Sequence, residues 1–268
     1  MGGCMNSIQI ENLTYEPLFD HLNLEVQRGS FLSLVGRNGC GKSVLIKILL
    51  GLISAQGTIL IDGFQLNKKN KRQIRKKIGV VFENPDSNFV AETPREDMST
   101  YLRNLGYSES KMKARITEVA EQFGITEVLD YSISNLSGGE KQIIALATVT
   151  LHKPSILILD DAFSMVDGIT KEKMIKIIKK MNREEKMTVI QITHDMDDTL
   201  YGSEIAIIDS NKIILHDRKE KVFEQEKLLK RSGLELPFMA SLSLKLQFYD
   251  LIDTMILDMD KMVNVLWK

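Results

Sequence analysis

Two short runs in this chain combine residue types that can hold and cleave a phosphate chain. Gly36-Arg37-Asn38-Gly39-Cys40-Gly41-Lys42-Ser43 fits G-x-x-x-x-G-K-S, and Ile156-Leu157-Ile158-Leu159 ends in Asp160-Asp161. The first run directly follows the apolar stretch Phe31–Val35 and directly precedes a helix-type segment, the context such a loop requires. Its three glycines let the backbone curl so that successive N–H groups point inward, and the helix N-terminus adds partial positive charge. Lys42 supplies a mobile full charge to the β- and γ-phosphates. Ser43 offers a hydroxyl to Mg²⁺, which prefers hard oxygen ligands. Cys40, inside the loop, is either a thiol activated by the helix N-terminus or simply a small side chain where a small one is needed. The aspartates end a strand-type run, and a carboxylate at the tip of a parallel strand lies beside such a loop. Asp160 is placed to hold Mg²⁺ through its water shell. Asp161 is placed to orient or deprotonate an attacking water.

These residues need rigid elements behind them. Residues 31–35, 78–82, 156–159 and 188–192 are near-continuous apolar runs, the signature of parallel strands covered on both faces. Residues 7–10, 21–26 and 58–63 alternate polar and apolar, as half-buried antiparallel strands do. Helical patterns run over 43–52, 111–123, 141–151 and 169–181. The expected class is α/β: a central parallel sheet, an antiparallel layer near the N-terminus, a helical sub-domain over about 84–140, and a C-terminal extension. We place the main domain at 1–227 and the extension at 228–268. In the extension Phe248, Ile252, Met255, Met259, Met262 and Leu266 step by four and three, with Asp250, Asp253, Asp258 and Asp260 off the stripe. A helix of that kind packs on its own core or on another chain.

Composition limits the setting. With 268 residues, 43% hydrophobic and 26% charged, the chain can bury a sizeable core and is not globally disordered. Lys plus Arg number 35 against 36 Asp plus Glu, a balance that argues against nucleic acid as the main partner. Cys4 and Cys40 cannot form a disulfide framework, which points to a reducing cytosol. The first residues lack the pattern of a secretion signal, and no apolar run approaches the ~18 residues of a membrane span.

Between the two chemical runs lies Leu136-Ser137-Gly138-Gly139-Glu140, ahead of an apolar helix. Ser137 is a natural helix-start residue, and Gly138 and Gly139 permit close backbone approach to an anion. The phosphate loop, this segment, the acidic strand end, Ser164-Met165-Val166-Asp167 and Thr193-His194-Asp195 occur in the order of the ATP-binding cassette. The chain resembles the ATPase subunit of an ABC transporter over about residues 6–225. In that family two cassettes close head to tail around ATP and Mg²⁺. The resemblance implies that Gly36 through Ser43 touch this chain's own ATP, while Ser137, Gly138 and Gly139 touch ATP held by the partner. It also implies that His194 contacts the γ-phosphate and that Asp167 crosses the dimer interface. Tyr15 is the candidate for stacking on adenine, with a core aromatic as the alternative.

Phe82-Glu83-Asn84-Pro85-Asp86-Ser87-Asn88-Phe89-Val90 is similar to the Q-loop of cobalt and energy-coupling factor (ECF) importer ATPases. Gly233-Leu234-Glu235-Leu236-Pro237-Phe238 and Val265-Leu266-Trp267 resemble the extension of the first of the two ECF ATPases. This narrower resemblance implies several partners: a second ATPase, favoured to be a paralogue, a transmembrane coupling protein and a small substrate-capturing membrane protein. It implies vitamin or transition-metal cargo and a place on the cytoplasmic face of the membrane. Three positions depart from the family pattern. Glu83 stands where Gln is usual, which puts a carboxylate near Mg²⁺. Glu140 replaces the signature Gln. Asp161 replaces the catalytic Glu, shortening the side chain by about one C–C bond, ~1.5 Å.

The cluster Lys68, Lys69, Lys71, Arg72, Arg75, Lys76 and Lys77 could attract anionic lipid or form a solvated face. Two other functions compete with transport. One is a soluble ABC protein acting on ribosomes or DNA, against which a single cassette without a long coiled coil argues. The other is a nearly inactive regulatory subunit, which Asp161 motivates.

Overall fold

The computed structural model describes residues 6–267; Cys4 lies outside them. The chain opens with β1 (Asn6–Tyr15), β2 (Phe19–Gln27), β3 (Phe31–Val35) and α1 (Lys42–Leu49). It continues through β4 (Gln56–Ile61), β5 (Phe64–Gln65), α2 (Lys71–Arg75) and β6 (Ile78–Val81). Three helices follow: α3 (Pro94–Asn104), α4 (Glu109–Phe123) and α5 (Gly138–Thr150). Then come β7 (Ile156–Asp160), α6 (Gly168–Glu185), β8 (Thr188–Ile192), β9 (Glu204–Asp209) and β10 (Lys212–Arg218). The chain closes with α7 (Lys219–Phe223), α8 (Glu226–Arg231), α9 (Phe238–Phe248) and α10 (Met259–Leu266).

Two sheets form, as the two kinds of strand pattern require. The alternating strands make an antiparallel sheet of order β2-β1-β4-β5, and the apolar strands a second sheet of order β10-β9-β3-β8-β7-β6. In the second sheet β9, β3, β8, β7 and β6 run parallel, and β10 closes one edge antiparallel. β9 and β10 are additions to the strands expected from sequence.

The parallel strands are apolar on both faces because they separate two cores. In β7, Ile156 and Ile158 face the core filled by α1 and the antiparallel sheet, while Leu157 and Leu159 face the helical layer. That second core gathers Met98 and Leu102 of α3, Ile116 and Phe123 of α4, Ile144 of α5 and Met174 and Ile178 of α6. A third core joins Val35, Ile205 and Ile207 to Phe223, Leu229 and Leu234, so the C-terminal segment packs on the sheet itself.

The apolar stripe of the extension is not one continuous helix. Residues 249–258 are non-helical: Asp250 has φ +56°, and the Asp258 side chain accepts from Lys261 N to start α10. The break divides the stripe. Ile252 and Met262 are buried with Met239, and Met255 packs on the third core. Phe248, Met259 and Leu266 stay exposed. One half of the stripe therefore feeds this chain's own core, and the other half faces outward.

Candidate functional site

Four neighbouring parallel strands deliver the chemical residues to one edge of the sheet. β3 leads into the Gly36–Ser43 loop, β8 into Thr193-His194, β7 ends at Asp160-Asp161, and β6 leads to Glu83. Leu18, Asn38, Gly39, Gly41, Lys42, Ser43, Val44, Glu83, Asp161 and His194 line one cleft of about 410 Å³.

The loop's tightness explains its glycines. A side chain on Gly36 would put Cβ 2.5 Å from the Ile208 carbonyl oxygen and 2.8 Å from Cys40 Sγ. Gly41, the N-cap of α1, has φ +100°, and a Cβ there would sit 2.8 Å from the Phe19 ring. Lys42 Nζ donates to the carbonyls of Gly36 at 2.7 Å and Arg37 at 3.1 Å, so the ammonium lies within the loop. Cys40 is half-buried against the core shared by α1 and the antiparallel sheet, which fits the small-side-chain role. Arg37 contributes backbone only. Its guanidinium turns away from the cleft and donates to the carbonyls of Arg231 at 2.7 Å and Ser232 at 3.1 Å, beyond α8.

The acidic residues sit opposite this loop. Ser43 Oγ donates to Asp160 Oδ1 at 3.3 Å. Burial raises the Asp160 pKa, and the charges of Asp161 and Glu83 push it further up against the Ser43 hydrogen bond and Lys42. Asp161 has φ +47°, and its amide donates to Ile192 O at 3.0 Å, which fixes it across the tip of β8. Its Oδ1 accepts from His194 Nδ1 at 2.9 Å and from His194 N at 3.3 Å. Carboxylate and imidazole are thus already in contact. The hydroxyl of Ser43 and the carboxylates of Asp160 and Glu83 are hard oxygen donors in a spot with excess negative charge, and they fit Mg²⁺. Among the described residues no three His, Cys, Asp or Glu side chains converge on a metal ion.

Ser137, Gly138 and Gly139 do not line this chain's cleft. They open α5 through a capping box: Ser137 N and Oγ donate to Glu140 Oε2 at 2.8 and 2.7 Å, and Glu140 N donates to Ser137 Oγ at 3.3 Å. The Ser137 hydroxyl and amide hold the Glu140 carboxyl below its ordinary pKa. Ser137 is exposed. A Cβ on Gly139 would lie 3.3 Å from Asp167 Oδ2, so this segment stands beside the exposed 164–167 stretch. Tyr15 also lies apart: it packs on the core at the end of β1 and lines a separate hollow with Glu16 and Ala55. It is half-buried, with one side on that core and the other on the hollow. Leu18 is the residue of that turn that reaches the phosphate cleft.

Three positioning residues escape sequence reading. Buried Gln142 of α5 donates to the carbonyls of Phe82 at 2.9 Å and Glu83 at 3.0 Å. Asn88 accepts from Phe82 N at 3.0 Å, and Lys141 pairs with Asp86 at 2.7 Å. The helix that begins with Ser137-Gly138-Gly139 thereby braces the 82–89 loop. The only sequence signal is that Lys141-Gln142 follows Glu140 directly; its partners lie 59 residues away for the Glu83 bond.

A profile described as ABC transporter matches residues 19–164. The energy-coupling factor transporter ATP-binding protein EcfA1 of Ligilactobacillus salivarius (strain UCC118) is 37% identical over 240 residues, covering 87% of this chain and 85% of the relative. Among solved structures, cbiO1 from Clostridium perfringens, part of the ABC transporter complex cbiONQ, superposes with TM-score 0.76 at 27% identity. That match covers 88% of this chain and 98% of cbiO1. The dimeric bacterial ABC transporter cassette MJ0796 gives TM-score 0.70 at 26% identity, covering 79% of this chain and 98% of MJ0796.

Proposed function

This chain belongs to the ABC transporter family of ATP-binding proteins, and on that premise we propose how its cleft drives transport. It is the ATP-binding and ATP-hydrolysing subunit of an ECF-type importer. Relatives named as transporter ATPases leave no place for the ribosome or DNA alternative. No helix among the described residues is long and apolar enough to cross a membrane, so membrane passage falls to other subunits.

The single observation that carries the mechanism is the convergence of Lys42, Ser43, Glu83, Asp161 and His194 on one cleft. The amides of Gly36 to Ser43 and the N-terminus of α1 hold the β- and γ-phosphates, and Lys42 neutralises them. Ser43 and Asp160, with Glu83 close by, would hold Mg²⁺, which when bound would supply charge neutralisation at the phosphates. Asp161 orients the attacking water and accepts its proton, and His194 keeps that carboxylate aligned while reaching toward the γ-phosphate. Ser137, Gly138 and Gly139 serve the ATP of a partner cassette, which matches the exposure of Ser137 and their place outside this chain's cleft.

The finer reading has a second ATPase, favoured as a paralogue, pairing through the C-terminal extension. A transmembrane coupling protein seats on the 82–90 loop, and a small membrane protein captures a vitamin or transition-metal ion. The chain then works at the cytoplasmic face of the membrane. ATP hydrolysis by the purified complex, with and without Lys42→Ala, tests the site. Turnover should fall at least 100-fold with the variant, a loss of about 2.7 kcal/mol of transition-state stabilisation. Undiminished turnover would place the active cleft elsewhere.

A further inference from the structure

Outside the cleft, the helix carrying Asp167 and the segment carrying His194 are joined by a largely buried ion pair. Lys171 Nζ contacts Asp198 Oδ1, with side-chain exposures of 19% and 7%. Lys171 stands four residues after Asp167, the N-cap of α6, and its amide donates to the Asp167 carbonyl at 2.9 Å. Asp198 stands four residues after His194. It lies in the short 197–201 helix behind the switch loop, where Thr193 Oγ1 reaches its Oδ2 at 3.5 Å.

Two aromatic rings also flank the ammonium. The rings of Phe163 and Tyr201 stand 6.0 and 5.7 Å from Nζ. Phe163 follows Asp161 by two residues, so the acidic strand end, the start of α6 and the switch loop all meet at one charge. Burial works against the ammonium, but the hydrogen bond and charge of Asp198 outweigh it and raise the Lys171 pKa. Separating the pair would leave a buried charge without its partner, so the contact ties the two segments together.

We propose that Lys171 is a positioning residue whose ion pair with Asp198 fixes the His194 segment against the helix that begins at Asp167. The proposal rests on the reading of Asp161 and His194 as the hydrolytic pair. Its consequence is mechanical: a displacement of the 164–167 stretch, which faces away from this chain's own cleft, is carried to His194. Misplacing a catalytic group by ~1 Å can cost on the order of a hundredfold in rate, so loss of the pair should act on turnover.

The test measures kcat and KM for ATP, together with the melting temperature, in the complex of this chain with its partner ATPase and membrane subunits. The variants are K171R, K171M, the double variant K171M/D198L, and H194A. The double variant removes both charges and so leaves no lone buried carboxylate. It should melt near the unsubstituted protein yet keep a kcat at least tenfold low, with KM within threefold. K171R should hold kcat within threefold. A double variant with normal kcat, or K171M whose loss is restored by D198L, would overturn the proposal and leave the pair a purely structural contact. If K171M does not fold, the double variant and K171R decide alone. H194A separates the two levels: a normal rate there overturns the reading of the hydrolytic pair, whereas a low rate with a normal double variant overturns only the clamp.

Discussion

At Asp161 one side chain meets two demands. Its carboxylate must accept a proton from water, yet it already accepts hydrogen bonds from both the ring and the amide of His194. With one methylene fewer than glutamate, it lines the cleft in contact with the switch residue and reaches about one C–C bond, ~1.5 Å, less far toward an attacking water. Asp161→Glu is therefore expected to raise ATP turnover of the complex, by up to ~100-fold if misplacement of about an ångström is the whole defect. Steady-state phosphate release checks this, and a fall or no change would count against it. Gly36 makes the complementary point: its type is dictated by the Ile208 carbonyl 2.5 Å from where a side chain would begin.

Among the elements, α5 has the widest reach. Its N-terminus carries the Ser137-Gly138-Gly139 segment, its first turns brace the 82–89 loop through Lys141 and Gln142, and its apolar face enters the helical core. A shift of α5 therefore moves the Glu83 backbone, and Glu83 lines the cleft. Gln142→Leu leaves the Glu83 carbonyl without its side-chain donor and the Phe82 carbonyl with only Asn88 Nδ2 at 3.4 Å. It should lower stability by about 1–3 kcal/mol, the ordinary cost of stranding buried acceptors. Urea unfolding at constant m-value measures that cost. The same variant should lower transport per ATP hydrolysed, read from cargo uptake and phosphate release in proteoliposomes. Unchanged coupling with lowered stability would reduce Gln142 to a packing role.

At the scale of the whole molecule, the C-terminal segment is joined to the ATPase core at the phosphate loop itself. The Arg37 guanidinium grips the carbonyls after α8, and Gly233 makes room for it: a Cβ there would lie 2.9 Å from Arg37 Nε. Farther out, α10 buries Met262 but leaves Met259, Val263, Leu266 and Trp267 exposed. We assign that outer face to pairing with the second ATPase. Val263→Asp with Leu266→Asp should weaken association with the partner ATPase at least tenfold, about 1.4 kcal/mol or more, in sedimentation or pull-down titrations. The melting temperature of the isolated chain should stay within a few degrees, because neither residue belongs to its core. Unaltered association would assign pairing to the cassette faces alone.

Much of the site was legible because its chemistry is local. Gly36 to Ser43, Asp160-Asp161, Thr193-His194 and Ser137-Gly138-Gly139 are each short contiguous runs, and a loop, a strand tip or a helix start constrains the residue types within it. The two-faced apolar strands were legible for the same reason: burial on both sides imposes a continuous run. Contacts between distant segments were not. Gln142 against Phe82 and Glu83, Arg37 against Arg231 and Ser232, and Lys171 against Asp198 join residues whose sequence neighbourhoods carry no mark of one another. The extension shows the limit most clearly. Its stripe repeats at helical spacing through residues 248–266, yet the left-handed backbone at Asp250 and the cap at Asp258 divide it. Periodicity records which side chains prefer to leave water. Only packing against the third and fourth cores decides which of them do so within this chain.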